Sequence, residues 1–233
     1  MEESGGFGGI ITGMQTILFI LVLLVLIWLG LNRLARHTGV RSQEVSLPLP
    51  GDDLIPEPDM IMDRAGVFAA PIQDVWPWVA QLGKSRGGWY CPAWLERFTH
   101  DTDLSGRRRI EPAFQNLAVG DFIPEYGPGK PVFKVIHRES PNTLVYLSAR
   151  SPSANWTWPD PQKPFPADVF QFSWALILQE IDPVHCRFYI RFRAKGKPSR
   201  LTWLVFPLAG LVDYLTIVLM FAGLRERLAG KIT

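Results

Sequence analysis

The side chains in this sequence that could carry acid–base, nucleophilic or metal chemistry are few: four histidines, two cysteines and scattered carboxylates. None of His37, His100, His137 and His185 stands from a second His, a Cys or a carboxylate at a spacing used by known metal motifs. His100 and Asp101 are adjacent in the chain, which does not bring their side chains together. Cys91 and Cys186 could close one disulfide, but reduced thiols in a cytosolic domain are the simpler reading. Glu111 and Glu125 fall in segments that could rim a cavity, where a carboxyl could act as a general acid; a solvated carboxylate is the commoner outcome. No phosphate-binding loop, dinucleotide fingerprint or nucleophile elbow occurs. The sequence therefore assigns no catalytic residue, no metal and no cofactor.

Aromatic residues are the stronger signal. Trp76, Trp78, Trp89, Tyr90, Trp94, Phe114, Phe122, Tyr146, Trp156, Trp158 and Trp174 are dense for a domain of this size, and such rings combine large apolar contact with a polar tip. Most read as ordinary core, Trp76 and Trp78 among them. Trp89, Tyr90 and Trp174 read as lining for a flat or long hydrophobic ligand, with Phe114 and Tyr146 as further candidates.

The elements that must position these rings can be read from periodicity. A short strand is expected at residues 64–70 and a helix at 72–82, where Val75, Trp78, Val79 and Leu82 share one face behind Pro71. A second short helix is expected near 91–98, followed by strands at 131–138, 143–149, 170–181 and 185–194. In the last two strands one face is apolar: Phe172, Trp174, Leu176 and Leu178, then Cys186, Phe188, Ile190, Phe192 and Ala194. The opposite face of the final strand carries Arg187, Tyr189, Arg191, Arg193 and Lys195, a pattern that suits an antiparallel sheet buried on one side. Residues 201–228 read as one long helix. The fold class expected is α+β, a curved antiparallel sheet around a long C-terminal helix.

The N-terminus has a different character. Residues 10–31 are almost wholly apolar, and as a helix they would be about 33 Å long, enough to cross a hydrocarbon core. A cleaved signal fits poorly, because the residues before the run are acidic, the run is too long and no small-x-small site follows. Trp28 stands where an interfacial aromatic would stand, and Arg33, Arg36 and Arg41 follow the helix with no Lys or Arg before it. The expected topology is a single pass through the inner (plasma) membrane, N-terminus outside and domain cytoplasmic. The domain organisation is then a transmembrane segment at 1–32, a basic and then proline-rich linker at 33–62, and a globular domain at 63–233. Four prolines between residues 47 and 58 make that linker a semi-extended spacer that could also lie across the domain. The net charge of +2 is too small to suggest a nucleic-acid binder, although the basic residues are clustered.

The C-terminal helix is also long enough to span a membrane, since Asp213 is the only charge between Arg200 and Arg225. A span at 203–222 would place one of its two flanking basic clusters on the wrong side. A helix that lies on the sheet and dips an outer face of Ile217, Val218 and Leu219 into the membrane interface is the expectation, with basic flanks on anionic headgroups.

Residues 64–83 (RAGVFAAPIQDVWPWVAQLG), GWY at 88–90, WLE at 94–96, RRRIEPAFQNLAVGDFIP at 107–124, FSWALILQEID at 172–182 and MFAGLRERLA at 220–229 together resemble the SRPBCC superfamily of START-like, polyketide-cyclase-like proteins. The linker run PLPGDDLIP at 48–56 resembles the lead-in of a membrane-anchored bacterial subgroup. The resemblance implies a helix-grip fold, in which sheet and long helix enclose an apolar cavity. It implies binding of lipids, sterols, polyketides or other hydrophobic ligands, with some members enzymes, and fold alone does not fix function. With the anchor, the leading expectation is a binding domain for a lipid, isoprenoid or quinone at the membrane surface. The alternatives are an accessory structural subunit of a membrane protein complex and a cyclase or aromatase-like enzyme. Expected partners are membrane lipids, a hydrophobic small molecule or a membrane complex. The chain departs from the subgroup in a Pro- and Trp-rich insertion at 150–168, a lid or a rigid loop, and in the apolar Ile217, Val218 and Leu219.

Overall fold

The computed structural model describes residues 5–98, 106–127, 129–159, 168–196 and 200–230. His100 and the middle of the insertion, 160–167, lie outside the described residues. Helix α1 (Gly5–Arg36) leads directly into β1 (His37–Thr38). After α2 (Ser42–Val45) and a 3-10 turn (Asp52–Leu54) come β2 (Met60–Phe68), α3 (Ile72–Gln81) and α4 (Ala93–Glu96). The strands β3 (Phe122–Pro124), β4 (Val132–Glu139), β5 (Thr143–Arg150), β6 (Phe170–Asp182) and β7 (His185–Lys195) follow, and α5 (Arg200–Leu228) closes the chain. The strands form one sheet in the order β1-β2-β7-β6-β5-β4-β3. It is mixed rather than wholly antiparallel, because β1 pairs parallel with β2.

The inner face follows the expected alternation. Tyr146, Trp174 and Phe192 stand side by side across β5, β6 and β7, and Leu144, Leu176 and Ile190 form the next row. Against them lie Ile72, Val75, Trp76 and Val79 of α3 and Ile217, Met220, Phe221 and Leu224 of α5, all buried in one core. Trp76 and Trp78 belong to that core, as expected. Gly223 lets α5 meet the backbone of Tyr90 and Cys91 directly, since a Cβ there would overlap both.

The outer face departs from the reading of a half-buried strand. Arg187, Arg191 and Arg193 are all buried, Arg191 to 3% exposure. What covers them is the segment expected to be a spacer. Arg191 donates to Asp63 (2.7 Å) on the adjacent strand, to Asp52 (2.9 Å), and to the carbonyls of Glu44, Val45 and Leu47. Arg187 donates to Glu44 (2.7 Å) and Gly39 O, and Arg193 to Ile55 O and Pro56 O. Val40, Leu49 and Leu54 rest on Ala65, Val145, Ala175, Ile177 and Tyr189 beneath. The prolines limit this strap to short pieces of regular structure, namely β1, α2 and the 3-10 turn, and its remaining carbonyls become acceptors for arginine. Residues 37–58 are thus built into the fold: two of them extend the sheet and the rest cover it.

Candidate functional site

The ring cluster expected to line a pocket is assembled in part. Trp89 stacks on Trp174 (centroids 5.3 Å, 18° between planes), and Trp174 is flanked by Phe133 (5.9 Å) and Tyr146 (6.0 Å). Trp89 reaches the sheet from the loop after α3, which turns back through a Gly83–Gly88 bridge. Gly83 is required there: its φ is +130°, and a Cβ would meet Ile123 at 2.8 Å. Leu82, Lys84, Ile123, Pro124, Glu125 and Tyr126 complete the wall.

Two candidates lie elsewhere. Tyr90 has φ +55°, which sends its ring away from Trp89. Its hydroxyl donates to Trp78 O (2.7 Å), and Arg227 lies over its ring, so it is a fully buried strut of the core. Phe114 sits in a one-turn 3-10 helix under Arg86, apart from the cavity walls. Phe133 and Ile123 were not anticipated. Phe133 was legible as the residue alternating with Val135 on an expected strand; Ile123 belongs to a three-residue strand with too little pattern to read.

The cavity bounded by Trp89, Phe133, Tyr146 and Trp174 measures about 20 Å³, room for one water molecule. Ligand pockets usually hold about 300–1,000 Å³, so the rings fill this space themselves. Two polar atoms on its wall, Trp89 Nε1 and Tyr146 Oη, are buried without a hydrogen-bond partner, and burial pushes the Tyr146 phenol up. Glu125 is ion-paired with Arg150, whose guanidinium lies over Phe133 and Phe172 and is pulled down by burial to about 10. Glu111 holds Arg109 (3.0 Å) away from the cavity. Cys91 and Cys186 are both buried free thiols. Among the described residues no cluster of three His, Cys, Asp or Glu could hold a metal.

A second constellation joins α1 to the domain. Arg64, 2% exposed on the inner face of β2, donates to Arg36 O at the end of α1 (2.9 Å) and to Gly210 O of α5 (3.3 Å). It also pairs with Asp213 of α5 (3.1 Å). One guanidinium therefore caps the carbonyl end of α1 and ties it to α5. On the outer face His37, directly after α1, approaches the fully buried Asp63 (3.3 Å). Above this joint, α1 stands clear: its apolar residues from Ile17 to Ile27 are each 46–69% exposed, and Trp28 is half-buried. Arg33 and Arg36 are exposed at its end.

Two helices, with windows at Gln15–Leu34 and Leu208–Leu228, are long and apolar enough to cross a membrane. On α5 the outer surface differs in part from the expected one: Val218 is exposed as expected, but its two neighbours are not. Ile217 is 1% exposed and faces the sheet, and Leu219 is half-buried; the exposed line is Leu208, Val212, Leu215 and Val218. The reason is the position of the helix, whose buried side runs through Gly210, Ile217, Met220, Phe221 and Leu224.

The insertion is anchored at its two ends. Asp168 accepts from Ser151 Oγ (2.7 Å) and Ser153 N (2.9 Å), Trp156 stacks on Phe170, and Trp158 meets Phe122 edge-on (5.6 Å).

No protein-family model matches the chain, and no curated protein matches it in sequence. Partial likeness to solved structures exists. A crystal structure of a Mesorhizobium loti protein is 14% identical, covers 73% of this chain and 97% of its own, and superposes with a TM-score of 0.42. A conserved protein from Geobacillus kaustophilus is 10% identical over 75% of this chain and 98% of its own, TM-score 0.39. A Nitrosomonas europaea protein is 12% identical over 79% and 99%, TM-score 0.36.

Proposed function

We propose that this chain is a membrane-anchored accessory subunit, a START-like domain fixed to the cytoplasmic side of the inner (plasma) membrane as a rigid platform within a larger complex. The observation that carries this reading is the lock between α1 and the sheet. Arg64 ties the end of α1 to β2 and α5, and Arg187, Arg191 and Arg193 hold the following strap across the outer face. A carrier that collects ligand from a bilayer gains nothing from a fixed pose. A subunit that presents one surface to neighbours in the membrane depends on it.

Three further features support the reading. The length, polarity and exposed arginine flank of α1 suit a span with the domain inside. The long α5 lying along the inner face of the sheet suits a helix-grip fold. Among the described residues, the filled space at Trp89 and Trp174 suits a domain whose ring cluster holds no ligand. Purification of the full chain from its native membranes in mild detergent tests the proposal. A partner co-eluting at fixed stoichiometry through two separations is expected; a monodisperse monomer would overturn it.

Ligand binding is a second reading, and one observation favours it: the unpartnered donors Trp89 Nε1 and Tyr146 Oη on the cavity wall. An apolar molecule with an acceptor oxygen, of the quinone kind, would satisfy both once Trp89 moved aside. Mass spectrometry of organic extracts from the purified chain decides it, with a stoichiometric ligand as the favouring result. The enzyme reading is weaker, because the carboxylate on the described cavity wall, Glu125, is held by Arg150.

A further inference from the structure

The exposed line on α5 continues onto α4. Leu208, Val212, Leu215 and Val218 are 49%, 63%, 57% and 40% exposed and follow one side of the helix for about 15 Å. Glu226 lies eighteen residues after Leu208, about five full turns on, and so falls on the same line. Its carboxylate accepts the Ala93 N–H (2.7 Å), which seats α4 at the far end of that line. There Trp94 and Phe98 are 51% and 72% exposed. Exposed apolar side chains thus lie on one side of the domain in two groups, aliphatic along α5 and aromatic at α4, joined through half-buried Leu219 and Ala222; together they are called the band.

Its rim is cationic. Arg97 is exposed and lies over Phe98 (5.5 Å) at one end, and Arg33 and Arg36 are exposed on α1 near the other end; Arg225 is turned toward β2, where it donates to Val67 O. Large apolar side chains bordered by arginine are the composition of a surface that lies in a headgroup layer. The band is also continuous with α1, which packs against α5 and is joined to it through Arg64.

We infer that this band, which keeps Val218 but not Ile217 or Leu219, is a second membrane contact: it lies on the anionic cytoplasmic leaflet that α1 enters. The inference rests on the reading of α1 as the membrane anchor. A buried band would hold the domain flush with the bilayer, with the arginines on lipid phosphates and Trp94 at the level of the headgroups.

The test uses the full chain in nanodiscs of phosphatidylcholine with phosphatidylglycerol. Single nitroxide labels are placed through Ile20→Cys in α1, Leu215→Cys in the band and Val184→Cys in the exposed β6–β7 turn; the native cysteines are buried. Collision rates with oxygen, which favours lipid, and with a neutral nickel chelate, which favours water, are compared at each site. The expected result is an oxygen-to-nickel ratio at Leu215→Cys several-fold above that at Val184→Cys and on the side of Ile20→Cys. If Leu215→Cys matches Val184→Cys while Ile20→Cys remains in lipid, the band is not a membrane contact and the anchor stands. If Ile20→Cys also behaves as water-exposed, the anchor itself fails. Protection of Leu215→Cys from both reagents means that a second copy covers the band, which overturns the inference as well.

Discussion

The two faces of the sheet are closed in opposite ways. The inner face is apolar and aromatic, and α3 and α5 cover it. The outer face carries three buried arginines, and the chain's own strap covers it through carbonyls and carboxylates. The inner cover follows from burial of apolar area, which is non-directional and tolerates approximate fit. The outer cover is held by directed charge-assisted bonds, which fix the position of the strap and therefore of α1. Alternation thus identifies the apolar face of a strand but does not show that the polar face meets solvent.

Breaking the outer face should have the largest effect. Arg191→Ala leaves Asp63 fully buried and short of its main partner, and loss of one member of a buried pair costs about 3–5 kcal/mol. Chemical denaturation of the full chain in detergent, with the wild type alongside, measures it. On the inner face Trp174→Ala removes the centre of the ring cluster and should cost about 3–5 kcal/mol; here the strap should stay in place, so its hydrogen exchange is the readout that separates the two faces.

Acid should act on the outer face. Glu44 is penalised by burial, but the Arg41 N–H and the Arg187 guanidinium outweigh that and hold its carboxyl below the usual carboxylate value of 4.5. A depressed carboxylate contributes stability above its unfolded value and loses it as pH falls through the folded one. The protection factor of the Arg41 amide, whose N–H donates to the Glu44 carboxylate (2.6 Å), is expected to be constant from neutral pH down to the ordinary carboxylate range and to fall only below it, once rates are corrected for the intrinsic pH dependence of exchange. The smallest effect is expected at Tyr146→Phe, which deletes a hydroxyl that has no partner; stability should be unchanged or slightly raised, within about 0.5 kcal/mol. A clear loss would mean that the hydroxyl serves a bound molecule, which would favour the ligand reading.

Much of this architecture was legible in the sequence. The apolar rows of β6 and β7, the helix behind Pro71 and the long C-terminal helix follow from periods of two and of 3.6 residues. Trp89, Trp174 and Tyr146 were legible singly as candidate lining; their meeting in one cluster depends on the strand register that pairs Tyr146 with Trp174, which periodicity does not reveal. Tyr90 was not, since a positive φ reverses its direction between neighbours. That the strap lies across the domain is one of the two readings the prolines allow, but its anchoring was illegible because the bonds are made by carbonyls, which every sequence has, to arginines about 140 positions later. β1 is two residues long, too short for any period. Ile217 was misplaced because a helix that is apolar on every side does not reveal which side meets the sheet.

Above all, the strap and Arg64 fix α1 relative to the sheet. The distance between spin labels at Leu31→Cys, near the end of α1, and Val184→Cys, in the β6–β7 turn, tests this in nanodiscs. One narrow distance distribution is expected for the otherwise native chain, and a broad one once Arg191→Ala is added. A broad distribution in the native chain would contradict the fixed pose, and would return residues 37–58 to the role of a loose tether.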